Sequence, residues 1–189
     1  MKKMCWLLVS LFVLTYCSIA LAQATKPAPP STPGQALDRT LSNVESEFVP
    51  AAEALPEDKY SFAPTNGEFK GVRTFSQQVK HVAAVNYIIG AAILGEKSPV
   101  DTGGEKGPDS IKTKADIVKF LKDSFAYAHK ATLTIDEKNA LAAVKNPFGE
   151  SMVARMELAT WIPGHCYDHY GQMVEYLRMN GIIPPASRQ

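Results

Sequence analysis

The sequence predicts an all-α protein, a four-helix bundle that follows a short N-terminal linker. Four segments repeat apolar residues at spacings of three and four, which is the period of a helix with one buried face. No segment alternates polar and apolar residues in the way that a half-exposed strand does. Loops rich in glycine and proline separate the four segments, which favours one bundle domain over residues 35–189.

Local signals refine the helix boundaries. Pro50 lies inside the first segment and predicts a kink or an early end of that helix. Thr113 and Asp116 resemble a capping box at the start of the third helix. Pro163 should bend the fourth helix just before His165. The predicted helices cover residues 35–55, 73–95, 113–131 and 150–180.

Residues 1–22 have the features of a cleaved signal peptide. Lys2 and Lys3 precede an apolar run that closes at Ala22 in a small-x-small pattern suited to a signal peptidase. The run is shorter than the roughly 20 residues of a membrane-spanning helix, although a retained N-terminal anchor is the alternative. We therefore expect a periplasmic or secreted protein. Residues 23–34 are rich in proline and predict a disordered or polyproline-like linker.

Charge and cysteine content narrow the class of partner. Cleavage after Ala22 would remove two of the 20 basic residues and none of the 19 acidic ones, which changes the net charge from +1 to about −1. Because nucleic-acid binding needs a clustered basic patch, we expect no nucleic-acid partner. A small molecule is the expected ligand, and a second copy of the chain is a candidate partner. Only Cys166 would remain of three cysteines, so no intramolecular disulfide is expected.

Three of the four histidines are candidate metal ligands. His165 and His169 are four residues apart on a predicted helix, which places them within roughly 40° on one face and about 6 Å apart along the axis. His81 lies in the middle of the second helix beside its apolar stripe. The alternatives are polar surface for the pair and a hydrogen-bonded core histidine for His81. His129 lies late in the third helix, where we expect contact with the negative helix end or solvent and no role as a ligand.

The segment His165-Cys-Tyr-Asp-His169-Tyr-Gly-Gln172 and its continuation to Pro185 resemble the last helix of the DinB-like superfamily. The stretch that ends in Gln-Gln-Val-Lys-His81 resembles the family's segment around its first ligand, and the resemblance extends over residues 36–186. It implies an all-helical bundle with a metal site formed by one histidine of the second helix and two of the last. On this resemblance the ligands are His81, His165 and His169.

Three neutral imidazoles suit zinc, nickel, copper or iron better than magnesium or calcium, which prefer oxygen ligands. Three protein ligands leave one coordination position open, and a water bound there can reach a pKa near 7 and attack an electrophile. Gln78, Asp168 and Gln172 are candidates to hydrogen-bond the ligating histidines. Each of these three residues is alternatively an ordinary residue of the helix surface.

Two functions follow from a site of this kind. The first is an exported metal-dependent hydrolase or transferase that works through a metal-bound water. The alternative is a non-catalytic bundle that binds a metal or a small ligand. An open coordination position beside a roomy pocket would favour the enzyme, and a fourth protein ligand would favour the binding protein.

Cys166 is turned about 100° from His165 on the helix, so we expect a small buried side chain there.

Overall fold

The computed structural model describes residues 29–188, and four helices dominate them, which confirms the predicted fold class. The predicted signal peptide and residues 23–28 of the predicted linker lie outside the described residues. Single-turn 3₁₀ helices follow the first and the last of the four helices, at Glu57–Lys59 and Pro185–Ser187. The four helices are α1 (Pro33–Ala54), α2 (Phe75–Leu94), α3 (Lys114–Thr132) and α4 (Arg155–Met179).

The bundle brings α2 and α4 side by side. Helix α2 packs against α3 and α4, and α1 packs against the other faces of the same two helices. Gln78 contacts Gln172 and Asn86 contacts Cys166, so residue numbers rise along α2 as they fall along α4. The two helices are therefore antiparallel neighbours. Large side chains that are fully buried between the four helices include Phe48, Phe75, Leu121, Phe125, Leu158 and Ile162.

Threonine side chains cap the starts of α1, α2 and α3. The Thr74 side chain accepts a hydrogen bond from the Gln77 amide, and the Gln77 side chain accepts one from the Thr74 amide. This capping box starts α2. Half of the capping box expected at α3 is present, because the Thr113 hydroxyl accepts from the Asp116 amide over 3.1 Å, whereas the Asp116 carboxylate accepts from the Thr113 hydroxyl and not from its amide. No helix within residues 29–188 is long and apolar enough to cross a membrane.

Helices α1 and α4 are both continuous through an internal proline. Helix α1 runs through Pro50 to Ala54, so the early end that Pro50 suggested is wrong. Helix α4 likewise continues through Pro163 from Arg155 to Met179. Helix α1 begins at Pro33, two residues before its predicted start, because the Thr32 side chain caps it and proline is well tolerated in the first helical turn.

A small hairpin between α3 and α4 corrects the expectation of a bundle without a sheet. Strands β1 (Ala143–Lys145) and β2 (Met152–Ala154) pair antiparallel, with Val144 opposite Val153. Strands of three residues are too short to show a readable alternation, which is why the sequence pattern missed them. The Arg155 amide then bonds to the Ala142 carbonyl oxygen, so α4 begins five residues after its predicted start at residue 150.

Candidate metal centre

Three histidines converge where α2 and α4 pack together. His81 lies at the middle of α2, and His165 and His169 lie one turn apart on α4. One ring nitrogen of each lies within 4.8 Å of the other two. The Nε2 atoms of His81 and His165 are 3.0 Å apart. The structure thus brings together the three candidate ligands that the sequence singled out.

The orientation of His81 is set by the main chain of the loop that precedes α3. Its Nδ1 donates a hydrogen bond to the Glu105 carbonyl oxygen over 2.6 Å. Because a carbonyl oxygen only accepts, Nδ1 carries the proton and Nε2 presents its lone pair to His165. This is the tautomer that a metal ligand needs, held by the kind of partner that orients ligating histidines.

Burial keeps all three rings neutral at pH 7. It lowers the pKa of His165 to about 3 and that of His169 to about 4, and it also lowers the pKa of His81. The neighbouring rings and the Arg73 guanidinium add to the effect, since each disfavours another positive charge in the cluster. Neutral imidazole is the form that binds a metal ion.

The donor set fits one transition-metal ion. Ligand nitrogens at 2.0–2.1 Å from a tetrahedral ion are about 3.3 Å apart, close to the approach between His81 and His165. The Nδ1 atoms of His165 and His169 are buried and have no hydrogen-bond partner among residues 29–188. No fourth histidine, cysteine or carboxylate joins the cluster in this part of the chain. Three protein ligands would therefore leave a coordination position open.

A pocket of about 770 Å³ lies over the three histidines. Its apolar lining comes from Val85 and Ile89 of α2, Trp161 of α4 and Phe148 of the hairpin loop. Its charged lining is formed by Arg73, Glu105 and Asp168. The volume is within the range of small-molecule sites in proteins.

The three residues expected to hydrogen-bond the histidines are instead linked to one another through Gln172. The Gln78 side-chain amide donates to the Gln172 side-chain oxygen over 2.6 Å, which ties α2 to α4. The Gln172 amide lies 3.5 Å from an oxygen of Asp168. The partner of His81 is instead the Glu105 carbonyl. A main-chain oxygen has no side-chain signature, so this partner could not be found from the sequence.

His129 lies apart from the cluster, between two carboxylates of α1. Its Nδ1 is 2.5 Å from Asp38 and its Nε2 is 2.9 Å from Glu45. The expected contact with a helix end or solvent is therefore wrong, because α1 supplies two acidic partners that helix position alone does not reveal. The hydrogen bond to Glu45 raises the pKa of His129 although burial opposes it.

Cys166 confirms the expectation of a small buried side chain. It is fully buried, and its thiol lies 3.6 Å from the side-chain oxygen of Asn86, which in turn contacts Ser124. Burial raises the pKa of the Cys166 thiol, so the reactive thiolate is disfavoured.

A four-helix bundle with three histidines converging from its second and last helices defines a recognisable class of helical protein. Residues 40–173 match the family model of the DinB superfamily, and the chain belongs to that superfamily. The crystal structure of a DinB-like protein from Bacillus cereus is similar, with a TM-score of 0.65 and 15% sequence identity. The similarity covers 79% of this chain and 93% of that one, and at this identity it supports the fold alone. No curated protein matched the sequence.

Proposed function

We propose that this chain is an exported metal-dependent hydrolase or transferase of small molecules. In this proposal His81, His165 and His169 bind one divalent ion of zinc, nickel, copper or iron. The observation that carries the proposal is the convergence of three neutral imidazoles at the base of a pocket of about 770 Å³. A site closed by a fourth protein ligand would instead have suited a structural or carrier role.

The bound ion would supply Lewis acidity, which polarises a carbonyl or phosphoryl oxygen and activates water as a nucleophile. The chain itself supplies the remaining parts. The Glu105 carbonyl holds the His81 tautomer. The apolar side chains of Val85, Ile89 and Trp161 restrict water on one side of the pocket. The carboxylate of Asp168, next to His169, lines the same space and is available to accept a proton.

Metal analysis of protein purified from the periplasm tests the proposal. We expect about one transition-metal ion for each chain, and much less in a His165→Ala variant prepared in parallel. A broad hydrolase and transferase screen of the loaded protein should then show turnover that the variant lacks. Binding of metal and ligands without any turnover would support the non-catalytic binding bundle instead. Absence of metal from both proteins would contradict the proposal.

A further inference from the structure

Arg73 is a cation in the pocket without a partner from the described chain. It lines the pocket together with the three histidines, and its charge acts on all three rings. Its guanidinium makes no hydrogen bond or ion pair with residues 29–188. An arginine presents up to five donors in a planar fork that matches an oxyanion. Arg73 is thus free to bind a ligand.

The main chain at Arg73 is firmly placed. Its carbonyl oxygen accepts a hydrogen bond from the Tyr176 hydroxyl of α4 over 3.0 Å. The next residue, Thr74, is locked in the capping box that starts α2. The guanidinium therefore extends from a fixed point at one end of the groove between α2 and α4. An anchored main chain reduces the freedom that a binding residue must lose.

The pocket has a polar end and an apolar end. Along α2, His81, Val85 and Ile89 follow one another at steps of about 6 Å on one face. Because α4 is antiparallel, Trp161 lies toward the end occupied by Ile89, and Gln172 lies toward Arg73. The histidines lie between the two ends.

The hairpin contributes an aromatic side chain to the apolar end. Phe148 follows β1, lines the pocket and leaves 42% of its surface exposed. Trp161, which also lines the pocket, is partly buried. Two aromatic side chains at the wall of a pocket offer large apolar contact to a ligand at low entropic cost.

The charges of the lining favour an anion once a divalent ion is bound. Glu105 and Asp168 carry negative charge, Arg73 carries positive charge, and the histidines are neutral. A divalent cation at the histidines makes the sum positive, and Arg73 is the cationic side chain among the described residues of the lining. A neutral ligand would form no ion pair with the guanidinium.

We propose that the pocket binds an elongated organic anion with its carboxylate or phosphate group on Arg73. The apolar part of this ligand lies against Trp161 and Phe148, and the bond that reacts lies between the two ends, over the histidines. The placement of the reacting bond rests on the function proposed above. The binding mode itself can be tested without turnover, because Trp161 lies in the pocket and reports on its occupant.

The test follows Trp161 fluorescence in the zinc-loaded protein during titration with 6-phenylhexanoate, 6-phenylhexyl phosphate and the neutral 6-phenylhexanol. We expect both anions to bind more tightly than the alcohol, and 6-phenylhexanoate to bind more tightly than acetate or 3-phenylpropanoate. Arg73→Met should weaken 6-phenylhexanoate about tenfold, as loss of a charged hydrogen bond does, and leave the alcohol unchanged. Phe148→Ala should weaken both ligands. The fluorescence change should be lost in a Trp161→Phe variant, which would assign the change to Trp161.

Two matched variants serve as controls. Lys70→Met removes an exposed cation three residues from Arg73, and Leu141→Ala removes an exposed apolar side chain, neither of which lines the pocket. Equal binding by the Arg73 and Lys70 variants, or equal affinity for the acid and the alcohol, would overturn the inference. Zinc affinity is measured separately by competition with a chelating dye. Zinc binding without an effect of Arg73 would overturn this inference alone, whereas a failure to bind zinc would overturn the proposed function.

Discussion

His81 and Glu105 are joined by a hydrogen bond of 2.6 Å from the imidazole Nδ1 to the main-chain carbonyl oxygen. The loop that carries Glu105 is itself held to α2, because the Lys80 ammonium donates to the carbonyl oxygens of Pro108 and Ile111. The orientation of one candidate ligand therefore depends on the conformation of the loop between α2 and α3.

Gly103→Ala should weaken metal binding by about tenfold, the low end of the effect of losing a group that orients a ligating histidine. A Cβ at Gly103 would lie 2.3 Å from the Gly107 carbonyl oxygen, and the residue has a φ of +56°. The loop must shift to relieve this contact, and the Glu105 carbonyl shifts with it. Competition titration with a chelating dye measures the zinc affinity.

Gly104→Ala is the matched control, because Gly104 has a similar φ of +66° but open space around its Cβ position. It introduces comparable backbone strain without a collision. We expect its zinc affinity to stay within about twofold of the unchanged protein. Equal losses in the two variants would show that the loop conformation at Gly103 does not govern the site.

Replacing any one of His81, His165 and His169 by Ala should reduce metal affinity by more than about 100-fold. Loss of a group that only hydrogen-bonds a metal ligand already reduces affinity by up to about 100-fold, and loss of the ligand itself should cost more. His129→Ala should leave metal affinity nearly unchanged, since His129 contacts Asp38 and Glu45 and lies outside the cluster. Metal content after dialysis compares the four variants. Equal retention by the His81 and His129 variants would refute the three-histidine assignment.

Acid should release the metal well below the ordinary histidine pKa of about 6.5. The pKa values of all three ligands are lowered, to about 3 for His165 and about 4 for His169, so protons compete with the metal below the ordinary histidine range. We expect a nearly constant zinc affinity from about pH 8 to about pH 5.5 and a steep fall below that. Helix content measured by circular dichroism at each pH controls for unfolding. Release centred on pH 6.5 in a folded protein would contradict this prediction.

The fold and the pairing of His165 with His169 could be predicted because both depend on side-chain spacing, whereas the addition of His81 to this pair was implied by the resemblance to the DinB-like superfamily. Apolar stripes predicted the four helices, and the four-residue interval predicted that His165 and His169 share a face. The tautomer of His81 could not be predicted, since the partner of its Nδ1 is a main-chain carbonyl oxygen in a loop, 24 residues away in the sequence. The two acidic partners of His129 also depend on how α1 packs, and the hairpin depends on strands of three residues.

Export predicts that the purified protein begins near Gln23. The basis is the pair Lys2 and Lys3, the apolar run that follows, and the peptidase pattern that closes at Ala22. N-terminal sequencing of protein isolated from the native source measures the start directly. An Ala22→Phe variant, which removes a small residue from the cleavage pattern but leaves the apolar run before it, should yield a longer chain. A soluble cytoplasmic protein that retains Met1 would contradict export.

His129 should stabilise the bundle more at pH 6 than at pH 8.5. Its hydrogen bond to Glu45, together with that to Asp38, raises its folded-state pKa above the unfolded value of about 6.5. The folded protein therefore binds more protons between these two pKa values. The contribution to the free energy of unfolding is complete below about pH 6.5 and is lost as the pH rises through the folded-state pKa.

Urea unfolding of His129→Gln and the unchanged protein at the two pH values measures this effect. The destabilisation by the substitution should be about 1 kcal/mol larger at pH 6 than at pH 8.5. This figure is modest because His129, Asp38 and Glu45 are partly exposed to solvent. The buried site histidines have lowered pKa values and destabilise the metal-free fold in acid, but both proteins contain them, so their effect cancels in the difference. Lys138→Gln, at an exposed position, should show no pH-dependent difference. The same destabilisation of His129→Gln at both pH values would show that the pair of carboxylates does not hold a protonated imidazole.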